Sequence, residues 1–127
     1  MIGSTRNLRV FAYTAPADLR KGYDGLYGLA VSELGRDPMS GDCFLFVNRT
    51  RTRSKVLLWD GTGLCIYMKR LEQRRFACLW KTSTGEPSIE LTLTELSLFL
   101  EGSDMVGRIS LSPKEFVAQP LAEMSTM

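Results

Sequence analysis

Eight cations fall between positions 49 and 75: Arg49, Arg51, Arg53, Lys55, Lys69, Arg70, Arg74 and Arg75. The first four occupy every second position, and on an extended strand alternate side chains share one face. The chemistry open to such a cluster is contact with phosphate oxygens, each contact releasing counterions and making affinity depend on salt. Arg20 and Lys21 widen the positive surface if the fold brings them near. The same charges also serve a solvated strand end, where they block edge-to-edge pairing, and that reading stands beside the first. Trp59, Tyr67, Phe76 and Trp80 interleave with the cations. Exposed, they would stack on bases; packing in the core is the simpler account.

Other chemistries are poorly supplied. The chain has no histidine, which removes Ser-His and Cys-His catalysis and acid–base work by imidazole. Asp18, Asp24, Asp37, Asp42, Asp60 and Glu72 are the acids open to a magnesium-dependent nuclease. Their surroundings argue otherwise: Asp18 suits a helix start, Asp60 suits a turn, and Glu72 has Arg70 and Arg75 to pair with. Cys43, Cys65 and Cys78 are odd in number, widely spaced and set in apolar runs, without a CxxC pair. They read as reduced, buried thiols rather than zinc ligands. The expectation is no catalytic residue, no metal and no cofactor.

The elements that must position the cations follow from pattern. Val56–Trp59 and Leu64–Met68 are apolar runs around Asp60-Gly61-Thr62-Gly63, a strong hairpin signal. Pairing through that turn brings both basic clusters to the opposite end of the hairpin. Further strands are expected over 8–13, 43–47, 75–80 and 88–91, and Lys69–Arg74 as a turn or a single helical turn. A helix is expected over 18–34, with Leu26, Leu29, Ala30, Val31 and Leu34 as its apolar stripe. Gly22, Gly25 and Gly28 each cost about 1 kcal/mol of helix propensity against alanine, so that helix starts late if they unravel its first turn. Thr92 and Glu95 match a capping box for a short second helix, which Gly102 is placed to end. The fold class is α+β: an antiparallel β-meander of five to six strands, one face on the N-terminal helix and the other open, with a short C-terminal helix. Residues 1–103 form one domain and 104–127 a C-terminal extension.

Length and composition agree with this. The 127 residues suffice for one domain with its own core, and 44% hydrophobic and 24% charged residues are ordinary for a globular protein. No run approaches the roughly 18 apolar residues of a membrane helix, and residues 1–7 lack the apolar core of a signal peptide. The expected location is cytoplasmic. Net charge is only +2, yet residues 49–81 hold nine cations against two acids, while residues 82–127 hold two cations against seven acids. Such asymmetry speaks about partners rather than fold.

Three blocks, taken in order, resemble a known family. Asp18-Leu19-Arg20-Lys21-Gly22-Tyr23-Asp24-Gly25-Leu26 resembles the D-x-R-K-G-[FY]-D-G-L block of accessory proteins encoded by bacterial insertion sequences of the "sixty-six" family. These are called TnpB there and are unrelated to the RNA-guided nucleases of that name. Lys55-Val56-Leu57-Leu58-Trp59-Asp60-Gly61-Thr62-Gly63-Leu64 resembles the K-x-L-x-W-D-G-x-G-[FL] block. Lys69-Arg70-Leu71-Glu72 resembles K-R-L-E, with Phe76 where its trailing Phe is expected. Leu96–Gly102 is a weaker match to L-x-x-L-L-x-G. The resemblance covers residues 8–103; Arg74 departs from the family's frequent Gly, and 104–127 run past its usual end.

The resemblance implies an accessory component of a transposition system that works beside a separate transposase. Joined to the charge pattern, it leads to the expectation of a non-catalytic module that contacts DNA at element ends, or a transposase–DNA complex. The eight cations between positions 49 and 75 would carry the contacts, with Arg20 and Lys21 assisting. The alternative is an adaptor that docks on the transposase, or on a further accessory subunit, without touching DNA, its basic face meeting acidic protein surface and helix 93–100 adding an apolar anchor. Self-association is also compatible with either.

Overall fold

The computed structural model describes residues 8–80 and 85–102. Five strands form one sheet: β1 (Val10–Tyr13), β2 (Cys43–Val47), β3 (Arg53–Trp59), β4 (Leu64–Arg70) and β5 (Ser88–Leu91). Helix α1 spans Tyr23–Ser32 and helix α2 spans Leu93–Leu100, with a 3-10 turn at Pro38–Ser40. The order across the sheet is β4-β3-β2-β1-β5.

The sheet is mixed, which corrects the expected antiparallel meander. β1 runs parallel to β2, with Val10 opposite Cys43 and Ala12 opposite Leu45. A parallel pair needs a long crossover, and α1 supplies it. The helix is therefore not the first element: β1 precedes it and α1 links two strands. β5 then pairs antiparallel with the free side of β1, and the remaining neighbours are antiparallel. Helix α1 begins after Gly22, so the first glycine of the Gly-rich run lies outside it. Leu26, Ala30 and Leu34 are buried as expected, whereas Val31 of the expected stripe is exposed.

Strand alternation divides the core in two. Phe11, Phe44, Phe46 and Leu57 face α1 and pack with Leu26, Ala30 and Leu34. Val10, Ala12, Cys43, Leu45, Val47 and Val56 face the other way and pack with Phe76, Leu79, Leu96 and Phe99. The second face is therefore covered, not open. Helix α2 and residues 76–80 lie over it, and the Phe76 and Phe99 rings stack with centroids 5.0 Å apart. This explains why Cys43–Val47 is apolar throughout: a central strand buried on both faces has no solvent side to alternate with.

Residues 75–80 form no strand. Phe76 donates its N–H to the Arg51 carbonyl at 2.7 Å, and Phe76, Ala77 and Leu79 are buried as an irregular strap across the sheet. The aromatic and apolar pattern there arises from burial under α2, not from strand alternation. The capping box forms as expected. Glu95 N–H donates to Thr92 Oγ1 at 3.1 Å and Thr92 N–H to Glu95 Oε1 at 2.8 Å. Gly102 follows the helix at φ +83°, the left-handed conformation that glycine adopts without strain. The proposed extension 104–127 lies outside the described residues.

Candidate nucleic-acid interface

The β3–β4 hairpin pairs Trp59 with Leu64 beside the turn and Arg53 with Arg70 at its base. The turn is organised by one carboxylate. Asp60 Oδ1 accepts from Thr62 N–H at 2.9 Å, Thr62 Oγ1 at 3.1 Å and Gly63 N–H at 3.0 Å, while Gly61 takes φ +107°. These bonds, the backbone ones foremost, pull the Asp60 carboxyl down to about 2. The Cys65 thiol leans on Oδ2 at 3.5 Å and is pushed up by desolvation and by that carboxylate.

At the base, the β2–β3 connection is built by Asn48. Its Oδ1 accepts from the N–H groups of Thr52 and Arg53, both at 3.0 Å. Arg51 sits within that turn at φ +61°, a left-handed conformation uncommon outside glycine. Asn48 to Thr52 is thus a turn rather than strand, and the every-second-residue alternation holds only for Arg53 and Lys55. Nothing in the charge pattern singles out Asn48; its signal is the known tendency of Asn side chains to bind nearby backbone N–H groups in turns.

An open groove of about 840 Å³ lies where this turn, the base of β3–β4 and the entry to α1 meet. Six of the candidate cations line it: Arg20, Arg49, Arg53, Lys55, Lys69 and Arg70. Only two carboxylates, Asp18 and Glu72, line it with them. Asp18 grips Arg20 by two bonds of 2.9 Å and accepts the Arg20 backbone N–H at 3.0 Å. Arg20's hydrogen bonds, before its charge, hold the Asp18 carboxyl well below the usual carboxylate range. Glu72 pairs with Arg70 at 2.9 Å. Lys55 donates through Nζ to the Lys21 carbonyl at 3.0 Å, tying the hairpin to the residues before α1. Among the described residues, no carboxylate lies within ion-pair distance of Arg49, Arg53 or Lys69.

Two other candidates point elsewhere. Arg51 donates to the Phe76 carbonyl at 3.1 Å, and Arg74 to the Gly102 carbonyl at 3.2 Å. Both hold the strap and the end of α2 in place. Arg75 and Lys21 are exposed but do not line the groove. The aromatics do not join the cations. Phe76 is fully buried, and Trp80 packs against the core. Trp59 and Tyr67 occupy opposite faces of the hairpin, because Trp59 pairs with Leu64 and Tyr67 with Val56. The apolar residues on the groove are Ala17, Leu19 and Met68; Met68, which the charge pattern did not single out, is 66% exposed. Among the described residues, no three acidic, cysteine or histidine side chains gather as metal ligands, and no helix is long and apolar enough to cross a membrane.

Comparison with known proteins bears on this arrangement. The family model described as IS66 Orf2 like protein matches residues 8–108. Uncharacterized protein y4jC of Sinorhizobium fredii (strain NBRC 101917 / NGR234) is 35% identical over 104 residues, 82% of this chain and 86% of its own. Uncharacterized protein y4hO of the same strain is 36% identical over 105 residues, 82% of this chain and 88% of its own. No solved structure matches. The family match takes in the α1 entry, the hairpin and the groove between them, and the chain belongs to the IS66 Orf2-like family, accessory proteins of an insertion-sequence transposition system.

Proposed function

We propose that this protein is a non-catalytic accessory factor that contacts the DNA of element ends, alone or in complex with a transposase, through the groove at the base of the β3–β4 hairpin. The observation that carries this reading is the imbalance in that groove. Six cations line it against two carboxylates, both carboxylates are already committed to Arg20 and Arg70, and Arg49 and Arg53 face solvent without an acidic partner among the described residues. Phosphate oxygens are the natural complement of exposed guanidinium groups, which bind them in pairs of parallel hydrogen bonds. Arg49 and Arg53 make the principal contacts, Lys55, Lys69 and Arg70 support them, and Arg20 contributes once it releases Asp18.

The adaptor reading sets the same basic face against an acidic protein surface and adds the apolar stripe of α2 as an anchor. That stripe is spent on the core: Leu96 and Phe99 are buried, and Leu93 alone of the stripe is strongly exposed. The groove is therefore the better-supported contact surface.

Binding of the full chain to double-stranded element-end DNA, measured at several salt concentrations, tests the proposal. Affinity should fall steeply with salt. The double variant Arg49→Ala/Arg53→Ala should bind more weakly and lower the slope of log K against log salt by roughly 2, about one unit per phosphate contact removed. Its thermal melt should match that of the wild type. Affinity indifferent to salt, or a double variant that binds like the wild type, would exclude direct DNA contact by this groove.

A further inference from the structure

The sheet has two edges, and they are built differently. β5 is four residues long, follows directly on Pro87 and carries Glu90. Shortness, proline and charge are the usual devices that stop an edge from pairing with another chain. β4 is seven residues long and pairs with β3 along its whole length in one unbroken register. It contains no glycine or proline, and its outer side pairs with no strand among the described residues. Its only charges are Lys69 and Arg70, at one end. Tyr67 and Met68, at its middle, are 53% and 66% exposed.

The placement of charge selects what can pair there. The base of the hairpin is cationic, and the turn at the other end carries Asp60. A second hairpin of the same kind laid parallel would set cations beside cations. Laid antiparallel, it sets each cationic base beside the other's Asp60 turn, so the edge is complementary to itself. We propose that β4 pairs antiparallel with β4 of a second copy of this chain, about a twofold through Tyr67, joining the two sheets into one. In that register Tyr67 faces Tyr67 of the second copy, Ile66 faces Met68, and Lys69 faces Cys65, so no like charges are opposed across the seam. A twofold perpendicular to the sheet keeps each residue on its own face. The two cationic grooves then open on the same side of the joined sheet, at opposite ends of the paired hairpins.

The test uses the full chain without DNA, so pairing and DNA contact succeed or fail separately. Light scattering over a range of concentrations should show a species of twice the 14.3 kDa chain mass. Hydrogen exchange should show β4 amides more protected where the dimer prevails than on dilution. Tyr67→Lys sets two ammonium groups against each other across the twofold and should return the monomer mass. Because Tyr67 is more than half exposed, the circular dichroism spectrum and melt should be retained. A wild-type chain that is monomeric at every concentration overturns the proposal. So does a dimer that survives Tyr67→Lys without change, or a β4 edge that gains protection only when transposase is added.

Discussion

The two ends of the β3–β4 hairpin use polar residues in opposite ways. At the turn, Asp60 gathers three donors from the two residues next but one and next but two along the chain, and the carboxylate is fixed in place by its own neighbours. At the base, cations outnumber carboxylates, and Arg49 and Arg53 project without an acidic partner among the described residues. A charge satisfied by its own backbone neighbours shapes the chain. A charge that the fold leaves exposed and like-signed with its neighbours costs electrostatic repulsion, and a ligand of opposite sign relieves it. The same distinction sorts the cations of the base, since Arg51 and Arg74 bind main-chain carbonyls while the Arg49 and Arg53 side chains bind none among the described residues.

The comparison breaks most severely if the base loses its anchor. Phe76 is fully buried, stacks on Phe99 and exchanges hydrogen bonds with Arg51. Phe76→Ala should cost about 3–5 kcal/mol in urea denaturation, from lost burial and the cavity left behind. It should weaken DNA binding as well, whereas Arg49→Ala/Arg53→Ala weakens binding alone.

A smaller effect belongs to the turn. The folded Asp60 carboxyl sits at about 2 against an ordinary 3.8. Its contribution to stability is therefore complete above pH 3.8 and is lost as pH falls from there toward 2. Asp60→Asn should lower the melting temperature at neutral pH, and the gap from wild type should close across that window. A gap that persists unchanged at pH 2 would show that the ionised carboxylate is not what holds the turn.

The least effect is expected at Arg20. Its side chain is 91% exposed and its charge is already matched by Asp18, and exposed pairs contribute little to stability. Arg20→Ala should leave the melt unchanged and reduce DNA affinity less than removal of Arg49 or Arg53. An equal loss of affinity would mean that Asp18 releases Arg20 readily on binding, and the division between paired and unpaired cations would need redrawing.

Local signals were legible in the residues. The Asp60–Gly63 turn, the Thr92–Glu95 capping box, the Gly102 stop and the late start of α1 depend on contacts between residues a few positions apart, and each forms where its residue types call for it. Residues 75–80 misled because alternation of aromatic and small residues is shared by a strand and by a buried strap. What separates them is the partner, and Phe76 finds Arg51 and Phe99 instead of a neighbouring strand. The run from Arg49 to Lys55 misled for a related reason. Alternation implies a shared face only where the backbone is extended, and Asn48 folds the first half of the run into a turn.

By itself, then, the sequence determined the family, the hairpin, the caps and the gathering of cations at one end of that hairpin, because all of these rest on short-range chemistry or on blocks of residues in order. Only the tertiary structure decided that β1 and β2 run parallel with α1 between them, that α2 and the 76–80 strap cover the second face, and which cations share a groove. Those outcomes depend on which distant surfaces find the best apolar partners: Phe76 meets Phe99 across 23 positions, and Lys55 reaches the Lys21 carbonyl across 34. No local pattern encodes such a choice, since burial against one partner or another leaves the same apolar residues in the chain.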